Sequence, residues 1–360
     1  MIRSGFPRIR SATLGALTLV LLLGALYALL RIDRRAPAAE PAVSAGSWLQ
    51  VFFSEPASST AETLRGGPDA VLAEAIDQAD YSVDVAVYNF DLWSVRDALA
   101  RAAQRGLTVR LVTDSDNLLG PEVQAMVAAG VAVLGDRRES LMHHKFVVLD
   151  QAEVFTGSMN LTVDSAYHGD NNLLRIRSSR LAEDFTREFE EMFVDDRFGA
   201  LSLRDTPYPQ ISIDGELIEV LFSPDDGVAR RLLELVRGAR ERVEVMAYAF
   251  TSDDLAEALI ERAGAGLPVR VVVESSQASA AGAEFERLLL AGVDVRRDGN
   301  PGDMHHKVVI IDGAVVWTGS YNFTRSAEEY NDEGVLVVHS PELAARFLTE
   351  FERVYAAAGP

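Results

Sequence analysis

The sequence predicts an α/β protein of two pseudo-twofold-related α/β/α lobes, preceded by one N-terminal hydrophobic helix. Three observations carry this reading. Strand-like and helix-like runs alternate from about residue 48 onward, the pattern of a layered α/β domain. That whole stretch is an internal repeat. A single uncharged apolar run stands ahead of it.

The run is ATLGALTLVLLLGALYALL, residues 12–30, with Arg3, Arg8 and Arg10 before it and Arg31, Arg34 and Arg35 after it. At 1.5 Å per residue it nearly crosses a bilayer core. It is longer than the apolar stretch of an ordinary signal peptide. Residues 1–35 are therefore read as a single-pass membrane anchor. The alternative is a cleaved signal with Ala36-Pro37-Ala38 as cleavage site and a secreted body. Basic flanks on both sides weaken the rule that sets orientation. Residues 36–47, APAAEPAVSAGS, read as a flexible linker.

The 360 residues suffice for two domains, and 48% apolar content for a sizeable core. Cysteine is absent, which excludes disulfides, thiolate catalysis and Cys-based zinc sites. Net charge is −20, although residues 1–35 hold six Arg and one Asp. So acidic a body repels polyanions at long range and weighs against a nonspecific nucleic-acid binder, unless a pocket is locally positive.

The repeat is explicit. VDVAVYNF (83–90) matches VEVMAYAF (243–250), and RGLTVRLVTDS (105–115) matches AGLPVRVVVES (265–275). LMHHKFVVLD (141–150) matches DMHHKVVIID (303–312), and TGSMNLT (156–162) matches TGSYNFT (318–324). The offset grows from 160 to 162 residues, a two-residue slip in the loop before the motif. LQVFFSEP (49–56) and IEVLFSPD (218–225) open the two copies. The first lobe spans 48–205 and the second 206–360, joined through Ser202–Gln210.

Each copy reads as an opening strand, an amphipathic helix, then a β-run whose near-continuous apolar character suits a strand covered on both faces. A helix, a strand, another helix and a short strand follow, and then a hairpin that carries the motif. A closing helix ends each copy, with Leu181, Phe185, Phe189 and Leu343, Phe347, Phe351 at four-residue spacing. The acidic residues of EDFTREFEEMF (183–193) read as its solvated face.

The hairpins hold the chemistry. The first has His143, Lys145, Asp150, Gly157, Ser158 and Asn160; the second has His305, Lys307, Asp312, Gly319, Ser320 and Asn322. In a strand, residues i and i+2 share a face. His143 and Lys145 therefore point together and His144 away, while Ser158 and Asn160 share a face on the return strand. The reversals fall at Gln151–Glu153 and Asp312–Ala314. Gly157 and Gly319 allow close backbone approach. Two such sets facing each other bring two imidazoles, two ammonium groups, two amides and two hydroxyls around one volume. The donors suit a phosphoryl group. Two imidazoles on opposite sides suit in-line displacement, one as nucleophile and one as acid.

These doubled motifs resemble the phospholipase D superfamily over essentially the whole body, about residues 48–358. The resemblance implies a phosphohistidine intermediate, no metal or other cofactor, and hydrolysis or transfer at a phosphodiester. It also implies an orienting residue eleven positions past each motif Asn: Glu333 for His143 and Asn171 for His305, each across the lobes. A carboxylate behind His143 makes it the nucleophile, and a neutral amide behind His305 makes it the general acid and then base. Asn171 departs from the Glu of many single-lobe relatives. One chain holds both half-sites, so a monomer is expected.

Asp150 and Asp312 read as turn residues. His144 and His306 face away from the site and do not make a joint metal site. His168 and His339 read as surface residues, and Tyr88 and Tyr248 as core or rim. The first expectation for substrate is a glycerophospholipid, cleaved by a body tethered to the cell membrane on its extracytoplasmic side. Compact lobes, and openings that resemble the small endonuclease branch, point instead to a nuclease. Phosphatidyl transfer of the cardiolipin synthase type, or a non-catalytic scaffold, are the remaining alternatives.

Overall fold

The computed structural model describes residues 48–359. The apolar run 12–30 and the linker 36–47 lie outside them. Among the described residues no helix is long and apolar enough to cross a membrane.

The first sheet has seven strands: β1 (Leu49–Phe53), β2 (Ser82–Val87), β3 (Thr108–Thr113), β4 (Ala132–Gly135), β5 (Lys145–Leu149), β6 (Glu153–Gly157) and β7 (Asn172–Arg177). Their spatial order is β1-β7-β6-β5-β2-β3-β4. β2, β3 and β4 run parallel. Parallel neighbours need crossovers, and helices Trp93–Gln104 and Pro121–Ala128 supply them. The motif hairpin β5–β6 is antiparallel and sits mid-sheet.

The second sheet repeats the plan with β8 (Gln210–Ile213), β9 (Glu216–Ser223), β10 (Val243–Ala247), β11 (Val269–Val273), β12 (Asp294–Arg297), β13 (Lys307–Ile311), β14 (Val315–Gly319) and β15 (Glu333–His339). Its order is β12-β11-β10-β13-β14-β15-β9-β8. The extra strand β8 pairs with β9 at the sheet's edge.

Each sheet packs one face against its own crossover helices, in separate apolar clusters. The other faces share a single core with both closing helices, Ser179–Phe193 and Pro341–Ala357. Ser178 and Ser340 cap these helices by accepting from the backbone N–H of Leu181 and Leu343. The Leu/Phe stripes are fully buried there. The two lobes thus share a core rather than merely touching.

That shared core overturns one expectation. Asp184, Glu188 and Glu191 of the first closing helix are buried, not solvated. The second lobe and the connecting segment cover them. Asp184 accepts from the N–H of Tyr208 at 2.7 Å and Glu191 from that of Leu203 at 2.7 Å. β7 and β15, between the hairpin and the closing helix, were also not foreseen. Each lies inside its sheet, buried on both faces, so the alternation that marks a half-exposed strand is missing.

Candidate active site

The two hairpins end at a common place, and backbone bridges bring them there. His143 N–H donates to Asp332 O at 3.0 Å, and Asp332 N–H to Leu141 O at 3.0 Å. The mirror pair runs from His305 N–H to Asp170 O at 2.9 Å and from Asp170 N–H to Asp303 O at 2.7 Å. The segment before each histidine is thus stitched to the segment before the other lobe's orienting residue. Asp332 is further held by Arg138 and by the N–H of Gly199. Arg353 and Asn300 hold Asp170.

The side chains follow from that stitching. Glu333 meets Nδ1 of His143 at 2.7 and 2.9 Å. Nδ1 of His305 lies 2.9 Å from Asn171 Oδ1. The Asn171 amide nitrogen is spent on Ser165 O at 3.0 Å. Its oxygen therefore faces the ring, and since an oxygen cannot donate, Nδ1 of His305 carries the proton. Nε2 of each histidine makes no hydrogen bond to protein, and both rings line one cavity of about 520 Å³. Tyr88, Tyr248, Asn160 and Asn322 line it too. The Oδ1 atoms of both asparagines are buried without a partner.

Other motif residues stand one layer back. Ser158 Oγ donates to Asn171 Oδ1 at 3.0 Å, and Ser320 Oγ donates to Glu333 Oε2. Both serines thus aim the orienting residues; neither lines the cavity. This corrects the expectation that they face the phosphate, and the reason is local. β6 and β14 end at Gly157 and Gly319, so Ser158, Asn160 and their counterparts lie past the strand, where period two no longer applies. His143 and His305 likewise stand just ahead of β5 and β13. Gly157 and Gly319 have φ of 153° and 156°, and a Cβ there would come within 2.4 Å of Asn172 O or 2.1 Å of Gly334 O. Lys145 and Lys307 are buried, each Nζ 2.9 Å from its own motif histidine's carbonyl oxygen. The Asp150 carboxylate accepts from the N–H groups of Asp80, Tyr81 and Ser82, and Asp312 does the same at Arg240–Arg242. Both are structural, and they hold backbone rather than a base.

His144 and His306 do point away. Their Nε2 atoms meet Glu188 at 2.9 Å and Glu350 at 3.0 Å on the closing helices. His168, read as a surface residue, lies on the cavity wall, paired with Asp164 at 2.9 Å. Its helical turn, Asp164–His168, has no motif to announce it. Tyr248 and Tyr88 stand against the catalytic-candidate rings, with centroids 4.7 Å and 5.2 Å away.

Electrostatically the site resists any net charge. Burial, then the two ammonium groups, hold both His143 and His305 well below their usual value. Burial pushes Lys145 down to about 7 and, with Lys145 beside it, Lys307 well down. Burial also pushes Glu333 up to about 7, against the pull of Lys145. An anion placed between the lysines would relieve their repulsion and favour protonated imidazole. Among the described residues no group of three His, Cys, Asp or Glu is placed to hold a metal ion.

Residues 72–193 and 232–355 match the family model described as cardiolipin synthase, PLD-like domain. Over 168 residues the chain is 29% identical to the mitochondrial cardiolipin hydrolase of Chlamydomonas reinhardtii, covering 40% of this chain and 75% of that protein. Over 159 residues it is 30% identical to a phospholipase D of Rickettsia bellii (strain RML369-C), covering 42% of this chain and 79% of that one. It spans 62% of the Xenopus laevis and 52% of the Homo sapiens proteins named mitochondrial cardiolipin hydrolase. Among solved structures, phosphatidylserine synthase of Haemophilus influenzae Rd KW20 has a TM-score of 0.63 at 14% identity, over 84% of this chain and 85% of its own. At that identity the likeness speaks for the fold alone.

Proposed function

This chain belongs to the phospholipase D superfamily and is a phosphodiesterase of that type, and on that premise we propose that it hydrolyses the phosphodiester of a glycerophospholipid through a phosphohistidine on His143. One observation carries the reading: the two imidazoles line one cavity, each tied at Nδ1 to the opposite lobe, with Nε2 unbonded.

Nε2 of His143 attacks phosphorus as the bond to the leaving alcohol oxygen breaks. Nε2–H of His305 gives its proton to that oxygen. Water then enters; His305 takes its proton, the hydroxide attacks phosphorus, and the bond to His143 breaks. Glu333 stabilises the positive charge of the phosphoimidazole. Asn171 orients His305 without a charge that would hold its proton back. Lys145, Lys307 and the Asn160 and Asn322 amides favour the developing charge on the equatorial oxygens. The diester's own charge offsets the repulsion among the buried cations, so a proton enters with the substrate. Residues 12–30 would tether the body to a membrane as a single-pass anchor, and one chain supplies both half-sites.

The test offers the full chain phosphatidylcholine, cardiolipin and single-stranded DNA, each with EDTA. Headgroup release is expected. Strand cleavage alone would replace this reading by a nuclease, and silence toward all three would make the protein a scaffold. His143→Ala and His305→Ala should each abolish turnover.

A further inference from the structure

The repeat makes the site nearly symmetric, so its departures from symmetry are informative. At the lip beside His143 stands Leu141; its repeat counterpart beside His305 is the exposed Asp303. Asp164 lines the same side of the cavity, held by His168, while its counterpart, Ser326, does not reach the cavity. The carboxylates of Asp303 and Asp164 lie close enough to raise the proton affinity of Asp303, after its partial burial and Glu274. Tyr248 packs its ring 4.7 Å from that of His305, and Asp303 is near enough to push its phenol up, after burial. Among the described residues no Arg or Lys lines the cavity.

The His305 side therefore offers an aromatic face flanked by two carboxylates, and the His143 side an apolar lip. Aromatic rings beside carboxylates attract substituted ammonium groups. They repel a second phosphate. In an in-line reaction the leaving alcohol departs next to the acid.

We infer that Asp303, Asp164 and Tyr248 form a leaving-group subsite for a cationic amino alcohol, so that the enzyme takes phospholipids with an ammonium-bearing headgroup over those whose leaving group is neutral or anionic. This rests on the phosphodiesterase reading and on His305 as the acid. It sets the substrate apart from cardiolipin and from nucleic acid, whose leaving groups carry further phosphate.

The experiment measures kcat/KM of the full chain in mixed micelles for phosphatidylcholine, phosphatidylglycerol and cardiolipin, with bis(p-nitrophenyl) phosphate as a diester lacking any headgroup. Phosphatidylcholine should be preferred over phosphatidylglycerol. Asp303→Asn and Asp303→Leu should each shrink the ratio about tenfold, and Asp164→Asn should shrink it less. Retained turnover of the nitrophenyl diester shows that a variant is folded. Turnover of that diester by the wild type with no headgroup preference, or with cardiolipin preferred, overturns this inference alone. A ratio unmoved by Asp303→Asn overturns it too. No turnover of any diester ends both this inference and the phosphodiesterase reading beneath it.

Discussion

Glu333 of the second lobe holds Nδ1 of His143 of the first at 2.7 Å, while the repeat-equivalent contact, Asn171 to His305, is made by an amide at 2.9 Å. One member of a symmetric pair thus has a carboxylate behind it and the other does not.

That difference predicts distinct kinetic defects. Glu333→Gln should lower kcat about 10- to 100-fold with a smaller change in KM, as loss of a partner behind a reactive imidazole does. With an activated nitrophenyl diester, His305→Ala should accumulate acid-labile phosphate on protein and His143→Ala should not. Trapping on the His143 variant instead would reverse the two roles.

Anion binding should take up protons near pH 7. Burial and the lysines keep His143 and His305 well below their usual value, so the empty site holds neutral imidazoles there. Orthovanadate or inorganic phosphate should restore protonation. Calorimetric titration in two buffers of different ionisation enthalpy measures the uptake, and identical heats in both would contradict it.

Asp184→Asn should stabilise the protein at pH 8 more than at pH 5. Burial pushes this carboxyl up to about 7, and its Oδ2 has no partner. A raised carboxyl is protonated in the fold below that value but ionised in the unfolded chain above about 4. Its contribution to stability therefore falls as pH rises from about 4 to 7 and stays low above. Asn keeps the Oδ1 acceptor for Tyr208 and removes the charge. The gain at pH 8 should be about 3 kcal/mol. Equal melting-temperature shifts at both pH values would refute the account.

Gly157→Ala should cost about 3 kcal/mol or more in urea unfolding. The φ of 153° and a Cβ only 2.4 Å from Asn172 O leave no room. Because Asn172 follows Asn171, activity should fall along with stability. Wild-type stability in this variant would show that the strand end relaxes freely.

Much of this was legible without coordinates. The repeat, the two hairpins and the stripes of the closing helices follow from periodicity, because a strand shows every second residue to one face and a helix every third or fourth. The motif resemblance also named Glu333 and Asn171, which local spacing alone could not have connected to the opposite histidines. Other features had no local signature. β7 and β15 are buried on both faces, so no alternation betrays them. Asp184, Glu188 and Glu191 look solvent-facing on their own helix, and only the second lobe's packing buries them. Ser158 and Ser320 turn from the cavity because the strands end one residue earlier. His168 and Asp303 are ordinary polar residues until chain folding sets them beside His305. The amino-acid sequence by itself determined which groups the protein owns and which half-sites they form. The tertiary structure alone decided how two half-sites became one unequal site, because burial, cross-lobe contacts and charge balance arise only when distant segments share one volume.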